Sequence, residues 1–171
     1  EKSENPKFNV KAVGAFKQKA GCEDYAMDGL PAEKIDTLCG GECYNPSSER
    51  LKISRIEVVK ITPQINENEE VEDLIQDPWM VLPCEGENGC EVNFEDPDFI
   101  EQGRKSIYYV RAIQEATDTI NGDALRCTYD SDGNCIEVNP CWGDYRVDSS
   151  DQCLSKEEHR AWSSPIYVSK N

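Results

Sequence analysis

The sequence predicts an all-β fold, a two-sheet antiparallel β-sandwich of the immunoglobulin or fibronectin kind with long disulfide-stapled loops and little helix. Three observations predict it. Many short segments alternate apolar and polar residues or are rich in β-branched ones. Long connections dense in Gly, Pro, Asp and Asn join them, and helical periodicity is almost missing. The 171 residues suit one domain over 1–171, burying about 70% of the surface that the unfolded chain exposes. Hydrophobic residues make up only 37%, so a thin core is expected, and nine cysteines can offset it. Each disulfide is worth ~2–4 kcal/mol.

The elements follow in order along the chain. Lys7 to Phe16 puts Phe8, Val10, Ala12, Gly14 and Phe16 on one side, with Asn9 and Lys11 on the other, as a half-buried first strand would. Gly21 to Arg50 loses that pattern and is expected to be a stapled loop, with CGGEC at Cys39 to Cys43 and a turn at Asn45-Pro46-Ser47-Ser48. Leu51 to Ile61 is a long β-branched strand stopped by Pro63, and its alternation slips at Val58-Val59, where a bulge is expected. A short helix is expected near Asn68 to Ile75. Pro78 to Pro83 and Cys90 to Glu95 are the next strands, and Val92 and Phe94 share a face.

Ser106 to Gln114 is apolar on both faces and is expected to be a central strand. Leu125 to Tyr129 and Cys135 to Val138 flank Asp130-Ser131-Asp132-Gly133-Asn134, where Asp-Gly predicts a hairpin turn. Cys141 to Cys153 is a polar loop. Ser155 and Glu158 have capping-box spacing, which predicts a second short helix at Ser155 to His159. Ala161 to Val168 is the last strand, and Pro165 places it at an edge or a bulge.

Cysteine at this density points to an oxidising, exported setting, periplasmic or extracellular. There is no tandem CxxC, and the lone His159 is too few for a mixed Cys/His zinc site. Short-loop closure pairs Cys84 with Cys90, Cys127 with Cys135, and Cys141 with Cys153. Two of Cys22, Cys39 and Cys43 can pair with each other, and the odd one stays free or bonds outside the chain. A net charge of −16 repels phosphate backbones and anionic lipid, so nucleic acid is an unsuitable partner. No apolar run approaches the ~18 residues of a membrane span. Without a basic start and apolar core of its own, the chain is expected to be a mature or excised segment.

Few residues have the pattern of a chemical site. Asp130, Asp132 and Asn134 have the spacing of oxygen ligands in a calcium-binding loop, but no bidentate Glu follows at EF-hand distance. A solvated hairpin tip explains the same residues, and calcium is kept as the one candidate cofactor. His159, in the charged stretch from Lys156 to Arg160, suits the surface. No Ser lies in a GxSxG setting, and disulfide-bonded cysteines are not nucleophiles. Trp79 and Trp162 lie in strands and are expected in the core. Trp142, in a loop, is the candidate for contact with a ligand or partner. The acidic run from Asn66 to Asp77 is expected to be a solvated face.

Four ordered segments, IEVVKITPQ (Ile56 to Gln64), DPWMVLPC (Asp77 to Cys84), YYVRAIQE (Tyr108 to Glu115) and RAWSSPIYV (Arg160 to Val168), carry a resemblance. With the first strand and GGECYNP (Gly40 to Pro46), they resemble the C-terminal part of an exported bacterial family of unknown function. That family is related to the PHP (polymerase and histidinol phosphatase) metallohydrolases. The resemblance covers nearly the whole chain and implies a β-sandwich tail following a metal-binding barrel. PHP-type sites use several His with Asp and Glu to hold their metals, and this chain has one His. The resemblance therefore implies a non-catalytic accessory module whose partner is an upstream catalytic domain of the same precursor. The alternative is a free-standing extracellular binding or self-assembly module, stabilised by disulfides, with calcium as its candidate ligand. A hydrolase using carboxylates alone lacks a visible carboxylate pair.

Overall fold

The computed structural model describes residues 4–19, 22–29, 31, 44–142, 145–148 and 150–170. Among the described residues strand exceeds helix by 46% to 10%, and the sheets are antiparallel and open. The main sheet is built on β4 (Ile53–Ile61) and β7 (Ser106–Gln114). The far side of β4 pairs with β5 (Ile75–Pro83), and the far side of β7 is shared by β12 (Arg160–Trp162) and β13 (Ile166–Val168). Ser106 to Gln114 is thus the central strand its two apolar faces predict.

Irregularities in this sheet follow its prolines. Val58 pairs with Met80, and Lys60 with Gln76, so two steps along β4 match four along β5. The bulge expected near Val58-Val59 is there, with its extra residues on the β5 side around Pro78, which has no N–H to give the ladder. The final strand expected from Ala161 to Val168 is instead two strands, broken at Ser163-Ser164-Pro165. The Ser163 hydroxyl accepts from the Val110 N–H at 3.1 Å within the break.

A ribbon of β1 (Lys7–Ala12) and β6 (Cys90–Glu95) covers one face of the main sheet. Its register puts Phe8 opposite Phe94, Val10 opposite Val92 and Ala12 opposite Cys90. These side chains pack inward: Val10, Ala12 and Val92 lie against the buried Ile53, Ile56 and Cys90. The outward positions form a cross-strand polar ladder. Lys7 meets Glu95 at 3.8 Å, the Asn9 amide donates to Asn93 at 2.9 Å, and Lys11 meets Glu91 at 3.0 Å.

Smaller pairs complete the described structure. These are β2 (Phe16–Gln18) with β3 (Pro46–Arg50), β8 (Thr117–Ile120) with β11 (Leu154–Glu157), and β9 (Cys127–Tyr129) with β10 (Cys135–Val138). The first strand ends early because Gly14 passes against the backbone at Leu51, where a Cβ would lie 1.9 Å from the carbonyl oxygen. The helix expected at Ser155 to His159 is corrected to β11. There Ser155 pairs with Thr119, and Lys156 reaches Asp118 at 3.0 Å, so cross-strand contacts override the capping-box spacing. The helices α1 (Asp24–Met27), α2 (Val71–Leu74) and α3 (Phe99–Gln102) are single turns, α2 within the stretch expected to be helical. Gly122–Arg126 winds left-handed through Asp123, Ala124, Leu125 and Arg126.

The three short-loop disulfides form as predicted. Their Cα separations are 5.5 Å for Cys84–Cys90, 5.7 Å for Cys127–Cys135 and 5.5 Å for Cys141–Cys153, all ordinary spans. Cys22 is also disulfide-bonded. The expectation for Cys39 and Cys43 lies outside the described residues.

Candidate functional site

The most chemically loaded point in the molecule is buried between the ribbon and the main sheet. Lys60 and Tyr108 are cross-strand neighbours on β4 and β7, on the face that the ribbon covers. Asp96 follows directly after β6, where its N–H donates to the Pro6 carbonyl at 3.2 Å. The Lys60 ammonium lies 2.6 Å from Asp96 Oδ2, and the Tyr108 hydroxyl donates to the same oxygen at 2.5 Å. Asp96 Oδ1 accepts the Asp98 N–H at 3.1 Å, and Lys60 also donates to Gln102 Oε1 at 3.0 Å. Lys60 is 2% exposed, Asp96 0% and Tyr108 1%.

Aromatic rings enclose this group. Phe8 stacks on Phe94 at 4.7 Å and tilts against Tyr108 at 4.8 Å, while Trp79 meets both Phe94 and Tyr108 edge-on or tilted at 6.2 and 6.0 Å. The Lys60 ammonium is 5.2 Å from the Trp79 ring centre, a favourable contact for a cation. Burial works against the Asp96 carboxylate, but hydrogen bonds from Lys60 and Tyr108 outweigh it and hold its carboxyl below the ordinary value. Burial first, and then the bond to Asp96, pushes the Tyr108 phenol up. The sequence gives little warning of this group. Lys60 sits beside the Val58-Val59 slip, where the phase of alternation is ambiguous, and Asp96 lies in a run, Glu95 to Asp98, that resembles an exposed turn.

The second feature is a groove of about 410 Å³ between β1 and the edge of the main sheet. Val110 and Ala112 on β7 form its floor, Val10 and Ala12 one wall, and Ala161 and Trp162 the other. Among the described residues β1 pairs with β6 alone, so its other backbone edge faces this groove. Trp162, expected in the core, is corrected to 60% exposed, because β12 is a three-residue strand at the sheet's edge with no strand paired outside it among the described residues. Trp79 is half-buried against Phe94 and Tyr108, as expected.

Of the residues singled out by sequence, His159 lines this groove, whereas Trp142 and the Asp130–Asn134 loop fall elsewhere, and they are not brought together. Trp142 is 58% exposed, with the Arg146 guanidinium 4.3 Å over its ring. It borders a 550 Å³ cleft that also contains Arg126 and Asp151, an ion pair at 2.8 Å. Asp130 closes the β9–β10 hairpin. Its Oδ1 accepts the N–H groups of Asp132 and Asn134 at 2.9 and 2.8 Å, and its Oδ2 accepts the Asn134 amide at 3.2 Å. Gly133 there has φ +83°, the conformation that Asp-Gly predicts. Among the described residues no group of three His, Cys, Asp or Glu is placed to hold a metal ion. His159 is exposed, its Nε2 3.1 Å from the Thr119 hydroxyl. The acidic run is not wholly solvated, since Glu69 pairs with Arg104 at 2.6 Å and accepts the Ile65 N–H at 2.8 Å.

On the opposite face of the main sheet, Arg55 meets Glu57 at 2.8 Å and grips Glu158 through two hydrogen bonds of 2.8 and 2.7 Å. Arg111 joins Glu57 at 2.8 Å and also pairs with Asp77. No helix of the described chain is long and apolar enough to cross a membrane. No family model, curated protein or solved structure matches this chain.

Proposed function

We propose that this chain is a non-catalytic, disulfide-stapled β-sandwich of an exported protein, accessory to a PHP-like metal-dependent hydrolase and docked to it along the groove beside β1. The observation that carries the reading is that groove. It combines an apolar floor, an open strand edge and the exposed Trp162, which is what an adjoining domain would cover. The four segments that carry the sequence resemblance also converge, since β4, β5, β7 and the β12–β13 edge between them contain most of their residues. The ribbon over one face of this sheet supports reading the whole as a reduced sandwich, and the three disulfides support an oxidising compartment.

The test begins with the intact mass of the native protein from its source. A longer polypeptide with a His-rich metal-binding portion is the expected result. In that protein, W162S should loosen the domain contact and speed proteolytic release of the module. Hydrolysis of a generic phosphoester by the isolated chain with added divalent metal would overturn the non-catalytic reading. A second reading, a free-standing binding or self-assembly module, is favoured by the stacked Trp142–Arg146 pair beside its cleft. A native mass equal to this chain, with Trp142 fluorescence changing on addition of polysaccharide or on self-association, would move the conclusion there.

A further inference from the structure

We propose that Lys60 and Asp96 become joined by a self-formed amide bond, an isopeptide cross-link that the folded chain makes without a cofactor. An ordinary ion pair would sit at the surface, where water solvates both charges at little cost. This pair is closed off by Phe8, Phe94, Trp79 and Tyr108, with nucleophile and acyl carbon held by a 2.6 Å contact to Oδ2. Three features make the arrangement suited to condensation. Fixing amine and carboxyl together replaces a bimolecular encounter with an intramolecular one. Burial of both groups excludes bulk water, which favours release of the water that condensation forms and hinders its return. The donors are divided between the two carboxyl oxygens, with the Asp98 N–H on Oδ1 and the Tyr108 hydroxyl on Oδ2.

The step balances without an external reagent. One proton passes from the Lys60 ammonium to Asp96 Oδ2, leaving a neutral amine and a carboxylic acid. The nitrogen lone pair then attacks Asp96 Cγ, and the negative charge that develops on Oδ1 is met by the Asp98 N–H, in the manner of an oxyanion hole. Collapse breaks the Cγ–Oδ2 bond. The oxygen departs as water, protonated through Tyr108, which is restored by the second proton lost from the nitrogen. Ammonium and carboxylate become one amide and one water, and nothing is oxidised or reduced. Gln102 Oε1 aligns the amine by accepting a hydrogen bond from it.

The experiment is mass spectrometry of the purified full chain after complete reduction, alkylation and denaturation. The expected mass is one water below that of the sequence, with a tryptic fragment in which the Lys60 and Asp96 peptides are linked and cleavage after Lys60 is lost. K60M should restore the full mass, and Y108F should lower the cross-linked fraction at a fixed time after synthesis. The readout on the unaltered chain is decisive even where a variant folds poorly. Full sequence mass overturns the proposal. So does a missing water located at Glu1, by cyclisation, or at Asp132-Gly133, as a succinimide. A missing ammonia with Gln102 in the linked fragment overturns it too, since Gln102 would then be the acyl donor.

Discussion

Asp96 accepts from three donors at full burial, two of them side chains and one its neighbour's backbone. D96A would remove both the buried contact and the cross-link proposed to form from it, leaving the Lys60 ammonium without a counter-charge among aromatic rings, and removing one partner of a buried pair costs ~3–5 kcal/mol even before the cross-link is counted. Urea unfolding should show at least the lower figure, and a loss under 1 kcal/mol would mean that water reaches the pair. A different carboxylate sets a pH dependence. Hydrogen bonds from Arg55 hold the Glu158 carboxyl below its ordinary value. A depressed carboxylate stabilises the fold above its unfolded value of about 4.3 and stops doing so as pH falls through its folded value. The advantage of the unaltered chain over E158Q in thermal melts should therefore be present at pH 6 and fade below about pH 4. An advantage that grew on acidification would refute this. Neither the Lys60–Asp96 contact nor the Arg55–Glu158 pair is legible in the sequence, because the partners lie far apart along the chain.

The disulfide Cys84–Cys90 joins the end of β5 to the start of β6, and so fastens the ribbon to the main sheet. Chain-entropy arguments give about 2 kcal/mol for a loop this short. The double variant C84A/C90A should lose about that much in denaturant unfolding, with β6 amides losing protection from hydrogen exchange before those of β4 and β7. Uniform loss across the chain would mean that the ribbon and sheet unfold as one unit. The strongly patterned elements were the legible ones. Ser106–Gln114, Cys90–Glu95 and Cys135–Val138 have the bounds their alternation predicts. The weakly patterned strands β3 and β8 (PSSER and TDTI) were not legible, since they bury little and exist because a partner strand is there. The splitting of the first and last strands was hidden for a similar reason. A close backbone approach at Gly14 and a break before Pro165 are set by neighbours distant in sequence.

Across the whole molecule, 34 acidic against 18 basic residues give the net charge of −16. Repulsion of that size works against a compact state, and salt screens it over a Debye length of about 8 Å at physiological ionic strength. The melting temperature should rise as sodium chloride is raised from near zero to physiological strength. A fall would mean that the exposed ion pairs, such as Lys52–Glu87 at 2.6 Å, contribute more than the net charge costs. The strand-rich class and the three short-loop pairings were legible at this scale because local spacing determines them. The groove was not, since its walls come from β1 and β12, at opposite ends of the chain. The ribbon is anchored at both ends of β6, by Cys84–Cys90 at one and by Asp96 on Lys60 at the other. Tension entering through Lys7 reaches the Asp96 anchor first, because Lys7 pairs with Glu95 and Pro6 accepts the Asp96 N–H. A pull there is passed sideways into β4, in the middle of the main sheet, and a module built this way would bear mechanical load through a side chain instead of unzipping a strand.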